Sequence, residues 1–232
     1  MENINYSAIE NNIIQIRKRM ENYPNSQLMA VIKMRSLEEI SFAINECGID
    51  YVGENHAQEF LNHLERLDNV KTDFIGTLQS NKVKYLVGKI NILESVSTMS
   101  AVKEISKHSK KLDLISKIMV EVNIGKEPQK SGVMPDELSA FLDSTCKESN
   151  IEIVGLMTVP PVTDDSKKRR EYFSALRQLR DDNLSYFKGY INHPLLSMGM
   201  SDSYAEALDE GADIVRIGTG IFGPRKYTTT IV

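Results

Sequence analysis

LLSMGMSDSYAEALDEGADIVRIGTGIFGPR, running from Leu195 to Arg225, decides how this chain is read. It parses as a short apolar strand, a glycine–serine turn, an amphipathic helix, a second strand and a second glycine turn. The strands, Leu195–Met198 and Ile214–Ile217, are the kind of short apolar run that a parallel sheet buries under helices. The first turn, Ser197-Met198-Gly199-Met200-Ser201-Asp202, leads into the helix SYAEALDEG, with Ser201 predicted as its N-cap. The second, Gly218-Thr219-Gly220, follows the last strand. Its glycines let backbone amides approach an oxygen closely, and Thr219 adds a hydroxyl donor. Each turn alone reads as an ordinary cap or strand exit. Side by side they form an anion cup, placed where α/β barrels hold phosphate.

Outward from this stretch, strand and helix signals alternate back to the N-terminus. Strands are predicted at Leu28–Ile32, Tyr51–Gly53, Phe74–Gly76, Ile90–Leu93, Ile118–Ile124 and Ile151–Met157, ahead of the two already named. Amphipathic segments such as SLEEISFAINECG, SAVKEISKHSKKL and KKRREYFSALRQLRDD fill the gaps. Eight strands, nearly all followed by a helix, predict an α/β fold, a (β/α)8 TIM barrel preceded by an extra N-terminal helix at about Ser7 to Asn22. A doubly wound open sheet is the structural alternative. Ser36 with Glu39 fits a capping box, Gly48 and Gly211 fit left-handed helix stops, and Pro135 fits a first helical turn. Thr158 to Asp165, TVPPVTDD, breaks regular structure and reads as a rim loop. No repeat or linker divides the chain, so residues 1–232 are read as one domain.

Composition sets the outer limits. The 232 residues are 41% hydrophobic, enough for a sizeable core, and no apolar run approaches the length of a membrane span. The net charge of −4 gives no electrostatic reason to expect nucleic acid or an anionic membrane. The N-terminus lacks the continuous apolar stretch of a signal peptide. Two cysteines, Cys47 and Cys146, make neither a disulfide framework nor a metal spacing, which fits a reducing cytoplasm. The four histidines also lack ligand spacing, so no metal is expected.

Three further positions suggest chemistry. Lys33 ends the run LMAVIK, where alternation puts it on the same side as Met29 and Val31. If that side faces the barrel, Lys33 stands at the carboxyl mouth; otherwise it is a lysine leaving a strand for solvent. Desolvation at a mouth favours the neutral amine, a nucleophile for an aldehyde. Arg216, in IVRIG, shares parity with Ile214 and Gly218 and so faces the cup. A buried guanidinium needs acceptors, either a structural carboxylate such as Glu121 or an unprotonated ring nitrogen. Asn55, after the second strand, is read as a pocket residue or as an N-cap. The run Lys167-Lys168-Arg169-Arg170 is read as a solvated helix face. A phosphate seat beside a strand-end lysine points to a phosphorylated aldehyde held as an imine.

Seven collinear motifs carry a specific likeness: AVIK at 30–33, VGEN at 52–55, FIGTLQSNK at 74–82, VNIGKEPQKSG at 122–132, GLMTVPP at 155–161, LSMGMSDS at 196–203 and VRIGTGIFGPR at 215–225. On these the chain resembles the YggS/PROSC pyridoxal phosphate homeostasis family. The resemblance implies a barrel like the N-terminal domain of alanine racemase, with pyridoxal 5'-phosphate linked covalently to Lys33. It further implies that Ser201, Gly218 and Thr219 hold the phosphate, that Arg216 faces the pyridine nitrogen, and that Asn55 and Ser197 line the pocket. Ile32 and Met34 beside the lysine, Thr72-Asp73 before FIG, and Thr77 depart from the family pattern. An arginine at the ring nitrogen makes a poor electron sink, and the chain has no second domain to supply a second base. A monomeric carrier that hands the cofactor to apoenzymes, with little turnover, is therefore expected. The alternatives are a small amino-acid racemase, with Tyr204 or Tyr227 as the second base, and an imine-forming aldolase on a sugar phosphate.

Overall fold

The computed structural model describes residues 4–67, 69–189 and 193–224. Among them eight parallel strands close a barrel in chain order: β1 Gln27–Val31, β2 Tyr51–Glu54, β3 Lys71–Phe74, β4 Ile92–Val96, β5 Ser116–Glu121, β6 Ile151–Met157, β7 Leu195–Ser197 and β8 Ile214–Ile217. β1 closes the barrel against β8, pairing Met29 with Arg216 and Ala30 with Ile217. The predicted barrel is observed. Helix α1, Tyr6–Met20, precedes it, and a helix follows each strand: α2 Leu37–Asn45, α3 Ala57–His63, α4 Val83–Leu86, α5 Met99–Lys111, α6 Leu138–Thr145, α7 Ser166–Asp182, α8 Tyr204–Asp209 and α9 Thr219–Phe222.

Alternation along the strands divides the buried residues into two layers. One side of each strand packs outward on the helices, as do Ala30, Val52, Phe74, Leu93 and Ile217. The other side fills the barrel, where Met29, Tyr51, Ile92, Met119 and Ile214 form a separate apolar cluster. α1 contributes Ile9, Ile13, Ile16 and Met20, spaced to share one helical face, to the outer layer. The capping box at Ser36 and Glu39 is present, and Gly48 and Gly211 adopt φ of +64° and +88°.

Three expectations need correction. β3 spans Lys71–Phe74 rather than Phe74–Gly76, so Asp73 is a strand residue. Ile75 and Gly76 already belong to the rim. β4 runs to Val96 rather than ending at Leu93, which brings Glu94 into the sheet. The basic run is only partly solvated: Arg169 bonds to Glu206 at 3.3 Å and to the Asp202 carbonyl, and Arg170 pairs with Asp209. These arginines tie α7 to α8. Of the residues named from the sequence, Arg225 and Tyr227 lie outside the described ones.

Candidate functional site

β1 delivers Lys33 to the carboxyl end of the barrel, two residues beyond its last strand position, and Lys33 is half-buried there. The turn is unusual: Met34 has φ of +56°, a region that side chains other than glycine and asparagine seldom adopt. The turn is held by the Met34 N–H donating to Glu59 Oε2 at 2.9 Å and the Arg35 N–H donating to the Ile32 carbonyl at 3.2 Å. The Arg35 guanidinium donates to the carbonyls of Phe222 and Gly223, at 3.2 and 2.5 Å, where α9 ends. The lysine turn and the last glycine turn are thereby bolted together.

The last two turns meet as predicted, with one change of partner. Ser203, not Ser201, is the residue before α8; its hydroxyl accepts from the Met200 N–H at 3.1 Å. Ser201 instead reaches across, its Oγ accepting from the Gly220 N–H at 2.9 Å. A Cβ on Gly220 would sit 3.3 Å from Ser201 Oγ and 2.8 Å from Ile217 Cγ2, so the close approach needs glycine. Gly199, at φ +90° and with its ideal Cβ 2.5 Å from the Ala207 Cβ, lets the first turn fold down on α8. Gly218 precedes α9 and Thr219 opens it. Thr219 and Ser201 therefore lie on adjoining turns, around backbone N–H groups of a helix start.

Arg216 lies below this cup, 4% exposed, inside the barrel. Its guanidinium donates to Ser197 Oγ at 2.6 Å and to the Thr158 carbonyl at 2.7 Å. Ser197 passes the contact on, donating to Glu94 Oε2 at 2.6 Å. Burial works against the arginine's charge, and the facing Glu94 and Glu121 favour it. Glu121 was expected as the structural acid, and it is buried, bonded to Ser131 at 2.9 Å. The acid linked to Arg216 through Ser197 is Glu94, which the expected β4, ending at Leu93, leaves just outside the strand.

A second missed carboxylate, Asp73, stands beside Glu94. Tyr51 donates its hydroxyl to Asp73 Oδ2, and Asn91 Nδ2 and the Ile92 N–H donate to Oδ1 at 2.7 and 3.0 Å. Burial raises Asp73 above the ordinary carboxylate range, and burial together with Asp73 pushes Glu94 up to about 8. Of the departure Thr72-Asp73, Asp73 thus belongs to the barrel interior, while Thr72, paired with the outward Val52, does not. The signal that would have found it is alternation: Asp73 pairs with Gly53, one step along from the inward Tyr51.

At the rim, Glu54 is fully buried; its Oε1 accepts from the N–H groups of Asn55 and His56 at 2.7 and 3.2 Å. Burial pushes it up to about 7, and the charge of Lys33 acts in the opposite sense. Asn55 does not cap α3; His56 is the residue before it, and Asn55 Oδ1 is buried with no hydrogen-bond partner among the described residues. The mouth thus gathers Lys33, Asn55, Ser197, Ser201, Arg216, Gly218 and Thr219. A cavity of about 400 Å³ lies instead at the opposite end, between α1 and the starts of β1 to β3, lined by Tyr23, Tyr51 and Lys71 among others. Among the described residues, no three His, Cys, Asp or Glu side chains group as metal ligands, and no helix is long and apolar enough to cross a membrane.

Residues 4–226 match the family described as alanine racemase, N-terminal domain. The pyridoxal phosphate homeostasis protein of Aquifex aeolicus is 42% identical over 183 residues, 78% of this chain and 79% of that one. Its namesake in Schizosaccharomyces pombe is 31% identical over 94% of both chains. PipY of Synechococcus elongatus PCC7942, solved with PLP bound, superposes with a TM-score of 0.81 at 26% identity, covering 93% of this chain and 100% of that one. An alanine racemase of Clostridium difficile 630 shares the fold, with a TM-score of 0.75 at 15% identity. The chain therefore belongs to the alanine racemase N-terminal domain family and, within it, to the pyridoxal phosphate homeostasis proteins.

Proposed function

We propose that this chain binds pyridoxal 5'-phosphate at the barrel mouth, holds it through Lys33 and releases it to other proteins, with little or no turnover of amino acids. The observation that carries this reading is the meeting of a strand-end lysine, a two-turn anion cup and a buried arginine at one barrel end. Two features of the protein fit the cofactor. Asn55 Oδ1 is a buried polar atom without a partner among the described residues, and Gly220, lacking a Cβ, lets its turn close on Ser201 so that the two turns adjoin. The cofactor brings an aldehyde carbon, to which the Lys33 amine can bond with loss of one water.

The chain's own residues do the rest. Ser201, Gly218 and Thr219 bind the phosphate through hydroxyls and backbone N–H groups. Arg216, always protonated, presents N–H donors to the ring nitrogen and so keeps that nitrogen an acceptor. Asn55 and Ser197 line the ring's edge. A ring nitrogen kept unprotonated is a weak electron sink, which favours carriage over carbanion chemistry. The relatives' name, homeostasis protein, and PipY's capacity to bind PLP support the same reading. On this reading the 232 residues act as one cofactor-binding unit, a cytoplasmic monomer that serves pyridoxal-phosphate-dependent apoenzymes.

Borohydride reduction of the loaded protein followed by peptide mass spectrometry tests the tether. A pyridoxyl group is expected on Lys33 and is expected to vanish in Lys33→Ala, which keeps weaker, phosphate-anchored binding. Label on another lysine, or none, overturns the assignment. Brisk racemisation of alanine or other amino acids would overturn the carrier reading.

A further inference from the structure

The barrel interior holds a continuous polar file that the cofactor seat alone does not require. It runs from Tyr51 on β2 to Asp73 on β3, Glu94 on β4, Ser197 on β7 and Arg216 on β8, ending at the Thr158 carbonyl. Glu121 on β5 faces the same arginine, and Lys71 acts on Asp73 from below. Asp73 and Glu94 lie on adjoining strands, both fully buried in the barrel interior, and each bears on the other's ionisation. Burial and mutual repulsion disfavour two charges in such a pair, so one member holds a proton. The donors say which. Asp73 accepts three hydrogen bonds, from Tyr51, Asn91 and the Ile92 backbone, and is suited to the charged form. Glu94 accepts one, from Ser197, and its Oε1 is buried with no donor directed at it among the described residues. Glu94 is the protonated member.

That proton fixes the direction of the chain beyond it. Ser197 donates to Glu94, so its oxygen is left to accept from Arg216. The guanidinium then rests on two neutral acceptors, a hydroxyl and a carbonyl, and keeps further N–H groups for a ligand above. A carboxylate at Glu94 would add a second negative charge next to Asp73 and draw the guanidinium down into the barrel.

We propose that Asp73 and Glu94 are positioning residues for Arg216, holding one proton between them whose presence keeps the guanidinium aimed at the mouth and whose loss withdraws it. This rests on the reading of the mouth as a pyridoxal phosphate seat. It makes the grip on the ring depend on pH through residues that never touch the ligand. Glu94→Gln is the close mimic of the protonated state, since its amide donates to Asp73 while its oxygen accepts from Ser197. Asp73→Asn is the counterpart: it leaves the one carboxylate of the pair at Glu94, linked through Ser197 to Arg216, with no Asp73 charge to keep a proton there.

The test is the Kd for pyridoxal 5'-phosphate from pH 6 to 9.5 in wild type, Glu94→Gln and Asp73→Asn. Ionisation of the ligand and of Lys33 is common to all three and cancels in the ratios. The wild-type to Glu94→Gln ratio is expected near one at pH 6. Above the Glu94 midpoint near 8 it grows, by up to about tenfold per unit, the limit for one proton. Asp73→Asn, which leaves Glu94 as the charged member, is expected to bind more weakly than Glu94→Gln already at pH 7, and inorganic phosphate, which uses only the cup, shows no such divergence. Parallel curves in all three proteins overturn the proposal. Carboxyl titration of the cofactor-free protein by carbon-13 NMR is the second measurement. It is expected to show a glutamate with a midpoint near 8 that moves down in Asp73→Asn. Two carboxyls titrating independently in the ordinary range overturn the shared proton. A chain that binds no pyridoxal phosphate at any pH sinks the seat, while the titration still decides the pair.

Discussion

Glu54 shows how much one side chain at the rim is asked to tolerate. It is fully buried beside the lysine turn, its Oε1 served by two backbone N–H groups, and its Oε2 without a hydrogen-bond partner among the described residues. His63 Nδ1 is 3.6 Å from Oε2, beyond hydrogen-bond range, and burial lowers that imidazole's pKa, so it offers little countercharge. The folded pKa of Glu54, about 7, lies above the ordinary 4.5, so the folded protein binds the extra proton. Its contribution to stability is therefore complete below pH 4.5 and is lost as pH rises through 7. Glu54→Gln keeps an acceptor for the Asn55 and His56 N–H groups and removes the charge. Equal stability to wild type at pH 4.5 is expected, and a gain of about 1–3 kcal/mol at pH 8. Urea unfolding at the two pH values measures it; a gain of the same size at both would assign the effect to packing.

At the scale of elements, Arg35 holds together the two loops that flank the proposed seat. The guanidinium spans from the lysine turn to the end of α9, donates to two carbonyls, stands 5.3 Å from the Phe222 ring centroid and pairs with Glu39 at 3.7 Å. Its side chain is almost fully buried, so these are not surface contacts. Arg35→Ala is expected to lower stability by about 2 kcal/mol, the range for hydrogen bonds to a charged group. It is also expected to weaken pyridoxal phosphate binding about tenfold, a loss of some 1.4 kcal/mol. Arg35→Lys restores little, because one ammonium lacks the planar fork that reaches both carbonyls. Calorimetric Tm and a binding titration on the three proteins decide between a clamp and a simple surface cover; unchanged affinity in Arg35→Ala excludes the clamp. The elements themselves were largely legible in the sequence. β1, β6, β7 and β8 are apolar runs with clear glycine or polar ends, and both cup turns follow from them. β3 and β4 were misplaced because Thr72-Asp73 and Glu94 look like turn residues. A polar side chain inside a barrel breaks the apolar signature while obeying the alternation. The cross-strand partner of Ser201 was not legible, because nothing local to either turn fixes their mutual height.

The molecule as a whole makes α1 more than a cover. Its buried face, Ile9, Ile13, Ile16 and Met20, packs on α9 and α2, and Asn12 Nδ2 donates to the Ile221 carbonyl at 2.9 Å. Arg17 donates to the carbonyls of Cys47 and Gly48, both at 2.6 Å, at the far end of α2. The helix thus braces α2 and α9 around the closing pair of strands, β1 and β8. α9 in turn carries Thr219 and receives Arg35, so support runs from α1 through α9 to the anion cup and the lysine turn. Ile13 is the central contact, 1% exposed. Ile13→Ala is expected to cost about 2–4 kcal/mol through lost burial and the cavity left behind. If the brace reaches the cup, saturating pyridoxal phosphate raises the Tm of this variant by less than it raises that of wild type. Ligand stabilisation follows the logarithm of concentration over Kd, so a loosened cup shows as a smaller shift. Thermal unfolding of both proteins with and without the cofactor measures this directly. An equal ligand-induced shift would mean that α1 stabilises the barrel without acting on the site.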